Sequence, residues 1–115
     1  MEVLRPTALV DALAARAAHP EALAIAGGTD VMVELNFDKA RPPTILDLTS
    51  VPELGRVDRA VGAVRIGAGV PFTRVIEELG DALPALVQAS RTIGSPQIRN
   101  RGTIGGNLGT ASPAG

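Results

Sequence analysis

The chain of 115 residues has no cysteine, no tryptophan and no tyrosine, with a single histidine and two phenylalanines. Without cysteine there is no disulfide, no thiol nucleophile, no thiolate for an iron–sulfur cluster and no structural zinc of the usual kind. His19 stands before Pro20 at the end of an alanine-rich run, which is the place of a helix-end residue rather than of a ligand or general base. Lacking Trp and Tyr, the chain has no aromatic platform on which nucleic-acid bases could stack. A net charge of −1 also speaks against nucleic acid or an anionic membrane as the main partner. No apolar run reaches the roughly 20 residues that span a bilayer. The opening "MEVLRPTALV" lacks the apolar stretch and small-residue cleavage site of a signal peptide, so the expected compartment is the cytoplasm. No catalytic residue and no metal ligand is nominated, and any redox chemistry would fall to an organic cofactor.

What is present suffices for one ordinary domain or two small lobes sharing a core. Thr7 to Ala18 reads as a helix with Leu9, Val10, Leu13 and Ala17 on its apolar face and Asp11 and Arg16 toward water. Pro20 ends it. Leu23 to Ala26 and Ile45 to Leu48 are short apolar runs of the kind buried in parallel sheets. Gly27-Gly28 follows the first run, and Thr29-Asp30 can cap a short helix. Strand, helix and strand in this order predict a small parallel βαβ lobe over residues 1–50.

From Val51 the pattern changes. "GRVDRAVGAVRIGAG" reads as an antiparallel hairpin, with Val64, Ile66 and Ala68 alternating against polar or small residues. Two helices follow, one carrying Phe72, Val75, Ile76 and Leu79, the other N-capped by Asp81 with Leu83, Leu86 and Val87 as its stripe. The remainder, "SPQIRNRGTIGGNLGTASPAG", shows no helical periodicity. Residues 51–115 are thus expected to begin a second, mixed or antiparallel lobe, with the boundary near Thr49 to Leu54.

Two glycine-rich segments carry the candidate chemistry. In "AGGTD" (26–30) a strand ends in Gly-Gly and turns toward a helix, so that several amides can point at one spot and form an anion-binding nest. In "GTIGGNLGTAS" (102–112), Gly105 and Gly106 allow close backbone approach, while Asn107, Thr103, Thr110 and Ser112 offer donors. Neither is a Walker loop or a G-x-G-x-x-G fingerprint. Read alone, each is as consistent with a tight turn or a bulged strand as with a dinucleotide site.

Together and in this order, "AIAGGTDVMVELN" and "IGSPQIRNRGTIGGNLGTASPAG" resemble the FAD-binding subunit of the molybdenum hydroxylase family, the xanthine dehydrogenase and carbon monoxide dehydrogenase medium-subunit type. The run "IRNRGTIGGNL" followed by "ASP" carries most of the specificity. The resemblance spans essentially all 115 residues and corresponds to the N-terminal part of the family's flavin domain. It implies an α+β, two-lobed FAD-binding fold of the vanillyl-alcohol-oxidase (PCMH) type. It also implies that Ala26, Gly27, Gly28, Thr29 and Asp30 wrap the FAD pyrophosphate. Thr103, Gly106, Asn107 and Thr110 would add a second set of contacts, with Ile104 packed nearby. Such relatives take electrons from a molybdopterin centre through 2Fe–2S clusters and pass them to NAD, a quinone or oxygen. The partners implied are a molybdopterin-binding large subunit and a 2Fe–2S small subunit, and the absence of cysteine here agrees with clusters residing on another chain. Two alternatives stay open: a single-chain flavin reductase or oxidase of the same superfamily, such as a UDP-sugar reductase, and a non-enzymatic remnant of the fold. Arg99 and Arg101 are expected to be solvated charges beside a turn.

Overall fold

The computed structural model describes residues 2–27 and 43–111. Expectations about Gly28, Thr29, Asp30 and Ser112, and about a helix after Asp30, lie outside the described residues. Strand β1 (Glu2–Leu4), helix α1 (Leu9–Ala18), β2 (Leu23–Ile25) and β3 (Thr44–Asp47) form the first part. The sheet is parallel, in the order β1–β3–β2, with Ile45 opposite both Val3 and Leu23 and Leu46 opposite Leu4 and Ala24. Flanked on both edges, β3 has Thr44, Ile45 and Leu46 all buried, which is why a short unbroken apolar run marks it in the sequence. β1 leaves no such mark, because three residues are too few to show a period. Its place comes from pairing with β3.

Helix α1 corrects one expectation. Val10 and Leu13 are 71% and 62% exposed, whereas Ala12 is 5% exposed. The helix sits on β3 and on the turn at Pro52–Gly55, and close approach to a sheet favours the small side chain at Ala12 over the larger neighbours. Arg16 does not face water freely; it is half-buried and donates to the carbonyls of Pro20, at 3.1 Å, and Ala22, at 2.8 Å. Ala8, the N-cap, supplies no side-chain bond. The carboxylate of Glu53 takes that role from afar, accepting from the Leu9 amide at 2.8 Å.

After the 3-10 turn at Pro52–Gly55 come β4 (Val57–Ala60) and β5 (Ala63–Ile66), an antiparallel hairpin turning at Gly62, whose φ is +77°. Helices α2 (Phe72–Glu78) and α3 (Pro84–Ser90) pack on each other and against the hairpin. The core gathers Val70, Val75, Leu79 and Val87, with Ile76, Leu83 and Leu86 half-buried around it. Those are the stripes that helical spacing predicts, and burying one such side chain is worth about 1.5–3 kcal/mol. Asp81, however, caps nothing. Its carboxylate is held by both terminal nitrogens of Arg59, at 2.9 and 3.1 Å, and the cap position falls to Leu83 with Pro84 in the first helical turn.

The largest departure lies at the C-terminal end, where two helices replace the expected irregular segment: α4 (Pro96–Arg101) and α5 (Ile104–Thr110). Ser95 and Thr103 cap them, accepting from the amides of Ile98 at 3.3 Å and Gly106 at 3.0 Å. Three glycines within α5 blunt its propensity by about 1 kcal/mol each. Tertiary bonds compensate: the Ile104 amide donates to the Val70 carbonyl at 3.1 Å and the Gly105 amide to that of Ala68 at 2.8 Å. The architecture is α+β, as expected.

Candidate functional site

The carboxyl ends of β2 and β3 open into a cleft of about 350 Å³. Ala26 and Gly27 enter it from β2, Leu48 and Thr49 from β3, and Asn100, Arg101 and Thr103 complete its lining. Chain leaving a parallel strand at its carboxyl end is where open α/β sheets bind ligands, because the strand ends there are free of crossovers from below. Pro52 and Leu54 supply apolar wall. No carboxylate belongs to the described lining and Arg101 is its one cation, a composition suited to an anionic ligand.

Both glycine segments reach this cleft. A Cβ on Gly27 would lie 2.1 Å from the carbonyl oxygen of Arg101, so main chain packs on main chain where the first segment meets the end of α4. Gly105 is crowded differently: a Cβ there would stand 2.6 Å from the Cβ of Ala68, in the turn that follows β5.

The second segment does not present a row of free amides. Those of Ile104 and Gly105 are used as described above, that of Gly106 goes to the Thr103 hydroxyl, and that of Asn107 to the Thr103 carbonyl at 3.0 Å. Ile104, Gly106 and Asn107 are half-buried. Thr103 is 4% exposed yet lines the cleft. Nothing is described of the Thr110 side chain. Gly28, Thr29 and Asp30 lie outside the described residues, so of the first segment only Ala26 and Gly27 are placed.

The FAD binding domain in molybdopterin dehydrogenase, as a family model, matches residues 1–115. The chain belongs to this family. It is 38% identical over 116 residues to the caffeine dehydrogenase subunit beta of Pseudomonas sp. (strain CBB1), covering 98% of this chain and 39% of that one. With a putative xanthine dehydrogenase FAD-binding subunit of Escherichia coli (strain K12) it shares 40% identity over 107 residues, 90% of this chain and 37% of the relative. Among solved structures, reconstituted CO dehydrogenase from Oligotropha carboxidovorans superposes with a TM-score of 0.92 at 30% identity, covering 98% of this chain and 41% of its counterpart. The chain therefore spans about two fifths of the curated relatives it matches. FAD is the cofactor of the family, and the family's members named here are dehydrogenase subunits.

Within this cleft, two residues matter that sequence reasoning passed over. Asn100 lines it, and its Oδ1 accepts from the Thr73 hydroxyl at 2.6 Å. Thr49 lines it from the β3 side, its hydroxyl donating to Asp47 Oδ1 at 2.6 Å and its amide to the same oxygen at 3.0 Å. Burial pushes the Asp47 carboxyl up, but the two Thr49 bonds and nearby Arg5 outweigh it and hold it below the ordinary aspartate value. The signal for this turn was present as Asp-x-Thr directly after a buried strand. Arg99 is not a freely solvated charge: it is half-buried and donates to the carbonyls of Arg91, Ile93 and Gly94 at 3.1–3.4 Å, stapling the loop before α4. Among the described residues no helix is long and apolar enough to cross a membrane.

Proposed function

We propose that the chain is the FAD-holding part of an electron-transfer flavin subunit in a molybdopterin-dependent hydroxylase or dehydrogenase. The observation that carries this reading is the meeting of the two glycine segments, Gly27 against Arg101, at one cleft beyond the carboxyl ends of β2 and β3. The two lobes of such a subunit correspond to residues 1–50 and 51–115, in a vanillyl-alcohol-oxidase (PCMH) type of fold. Ala26 through Asp30 surround the diphosphate, with Gly27 and Gly28 keeping side chains out of its way. Of the second set, Thr103 contributes most directly, since it lines the cleft and its hydroxyl accepts from Gly106 while keeping its proton. Ile104, Gly106, Asn107 and Thr110 give shape and packing to that wall.

When bound, FAD supplies the exchange between single electrons and electron pairs. The chain needs no catalytic acid or base for this. Its residues bind the diphosphate, exclude water with Pro52 and Leu54, and fix the cofactor's position. The partners are a molybdopterin-binding large subunit and a 2Fe–2S small subunit that delivers electrons; NAD, a quinone or oxygen receives them. The similar Cu,Mo-CO dehydrogenase supports a metal-bearing partner.

Titration of FAD into the full polypeptide, followed by flavin fluorescence, is expected to show saturable quenching. Co-purification is expected to bring a cysteine-rich chain and a molybdopterin chain. A polypeptide that neither quenches nor retains flavin would overturn the reading.

A further inference from the structure

The walls of the cleft have opposite hydrogen-bond polarity. A hydroxyl has one proton to give and two lone pairs with which to accept. At Thr103 the oxygen accepts from the Gly106 amide at 3.0 Å, and among the described residues its proton goes to no acceptor. At Asn100 the 2.6 Å contact with Thr73 has the length of an O–H···O bond rather than an N–H···O bond, so Oδ1 is the occupied end and the NH2 remains to donate. The Arg101 guanidinium is donor only. This wall therefore receives acceptors.

At Thr49, in the same lining, the polarity is the reverse. The one proton of the Thr49 hydroxyl is committed to Asp47 Oδ1 at 2.6 Å. That carboxylate also takes the Thr49 amide, and its other oxygen lies 3.3 Å from Arg5 Nε. Asp47 is thereby locked as an ionised acceptor, and Thr49 is left with lone pairs alone. A phosphate oxygen placed there would meet another acceptor and be repelled.

Resting on the flavin reading above, we infer that Thr49 accepts a hydrogen bond from a hydroxyl of the cofactor's ribose or ribityl chain, with Asp47 as the positioning residue that fixes this polarity. The space argues for a hydroxyl. At about 350 Å³ the cleft is at the small end of ligand pockets, which run about 300–1,000 Å³, so it holds part of a dinucleotide. In FAD the groups bonded directly to the diphosphate, on either side, are hydroxyl-bearing carbon chains. A diphosphate at Thr103, Asn100 and Arg101 thus puts a hydroxyl donor within the same cleft as Thr49.

The test is equilibrium FAD binding to the full polypeptide by flavin fluorescence, comparing wild type, Thr49→Val and Thr49→Ser. Valine keeps the shape and removes the acceptor; serine restores it. Loss of one hydrogen bond of about 1 kcal/mol corresponds to roughly 5-fold weaker binding, so Thr49→Val is expected to weaken FAD by about that factor and Thr49→Ser to return close to wild type. Wild-type affinity in Thr49→Val, or equal weakening in Thr49→Ser, overturns the inference while leaving the flavin reading intact. Failure of the wild type itself to bind FAD overturns both.

Discussion

Gly27 and Gly105 look alike in the sequence, each beginning or ending a Gly-Gly step in a segment that reads as a phosphate turn, yet the structure crowds them for different reasons. At Gly27 the missing side chain lets the end of β2 touch the Arg101 carbonyl, a contact between distant parts of the chain that shapes one side of the cleft. At Gly105 it lets α5 dock on Ala68 within the second part, and the amide is spent on the Ala68 carbonyl. Gly109, the next-to-last residue of the last described helix, meets nothing within 4 Å of a hypothetical Cβ. A glycine count therefore says little until each residue's neighbour is known.

That comparison can be broken most sharply at Gly27. Gly27→Ala drives a Cβ into main chain that cannot swing away, so a loss of about 1–3 kcal/mol is expected, together with FAD binding weakened by about tenfold or more as the cleft wall shifts. Gly105→Ala is expected to cost a similar amount of stability, since the Ala68 carbonyl at 2.7 Å and its rigidly attached methyl at 2.6 Å cannot swing away either, while FAD affinity stays within about twofold. Thermal melts paired with FAD titrations check both, and equal losses of FAD affinity would erase the distinction drawn here. Gly109→Ala sharpens the contrast with the opposite sign: with open space and a helical backbone it is expected to add about 0.5–1 kcal/mol.

The smallest effect concerns the bond that joins the two parts elsewhere. The Leu9 amide holds the Glu53 carboxyl below its ordinary value. Glu53 regains that ordinary value on unfolding, so its contribution is present at neutral pH. It is lost as pH falls through the usual glutamate range and then through the lowered folded-state value. Melting temperature followed from pH 7 to pH 3 should fall less steeply in Glu53→Gln than in wild type. An unchanged acid limb would show that this long-range cap carries no weight.

Much of the second part was legible because its core obeys a period. Val75 on α2 and Leu79 at its C-cap fall one turn apart, and both are fully buried. α1 was legible as a helix but not in its orientation, because the residue that packs is Ala12, which a hydrophobicity pattern ranks below Val10 and Leu13. Helices α4 and α5 were hidden for another reason. Ser95-Pro96 is a fair start signal, but six or seven residues show barely two turns, and the glycines of "IGGNLGT" argue locally against a helix that tertiary bonds from Val70 and Ala68 hold in place. At the site, the glycine segments announced themselves, whereas Thr49 and Asn100 did not: a threonine and an asparagine gain meaning from which atom is already occupied.

The linear order of residues by itself determined the buried strand Ile45–Leu46, the helical stripes of the second part, the absence of thiol chemistry, and the paired glycine motifs that mark the family. Those follow from local periodicity and side-chain chemistry, which need no neighbours from afar. Only the tertiary structure decided that Gly27 rests on Arg101, that the amides of α5 are consumed within the fold, and that Thr49 and Thr103 face one cleft with opposite polarity. Each of those depends on where a packing or hydrogen-bond partner lies after the chain has closed on itself, from 2 residues away for the Thr49–Asp47 bond to 74 residues away for the Gly27–Arg101 packing contact.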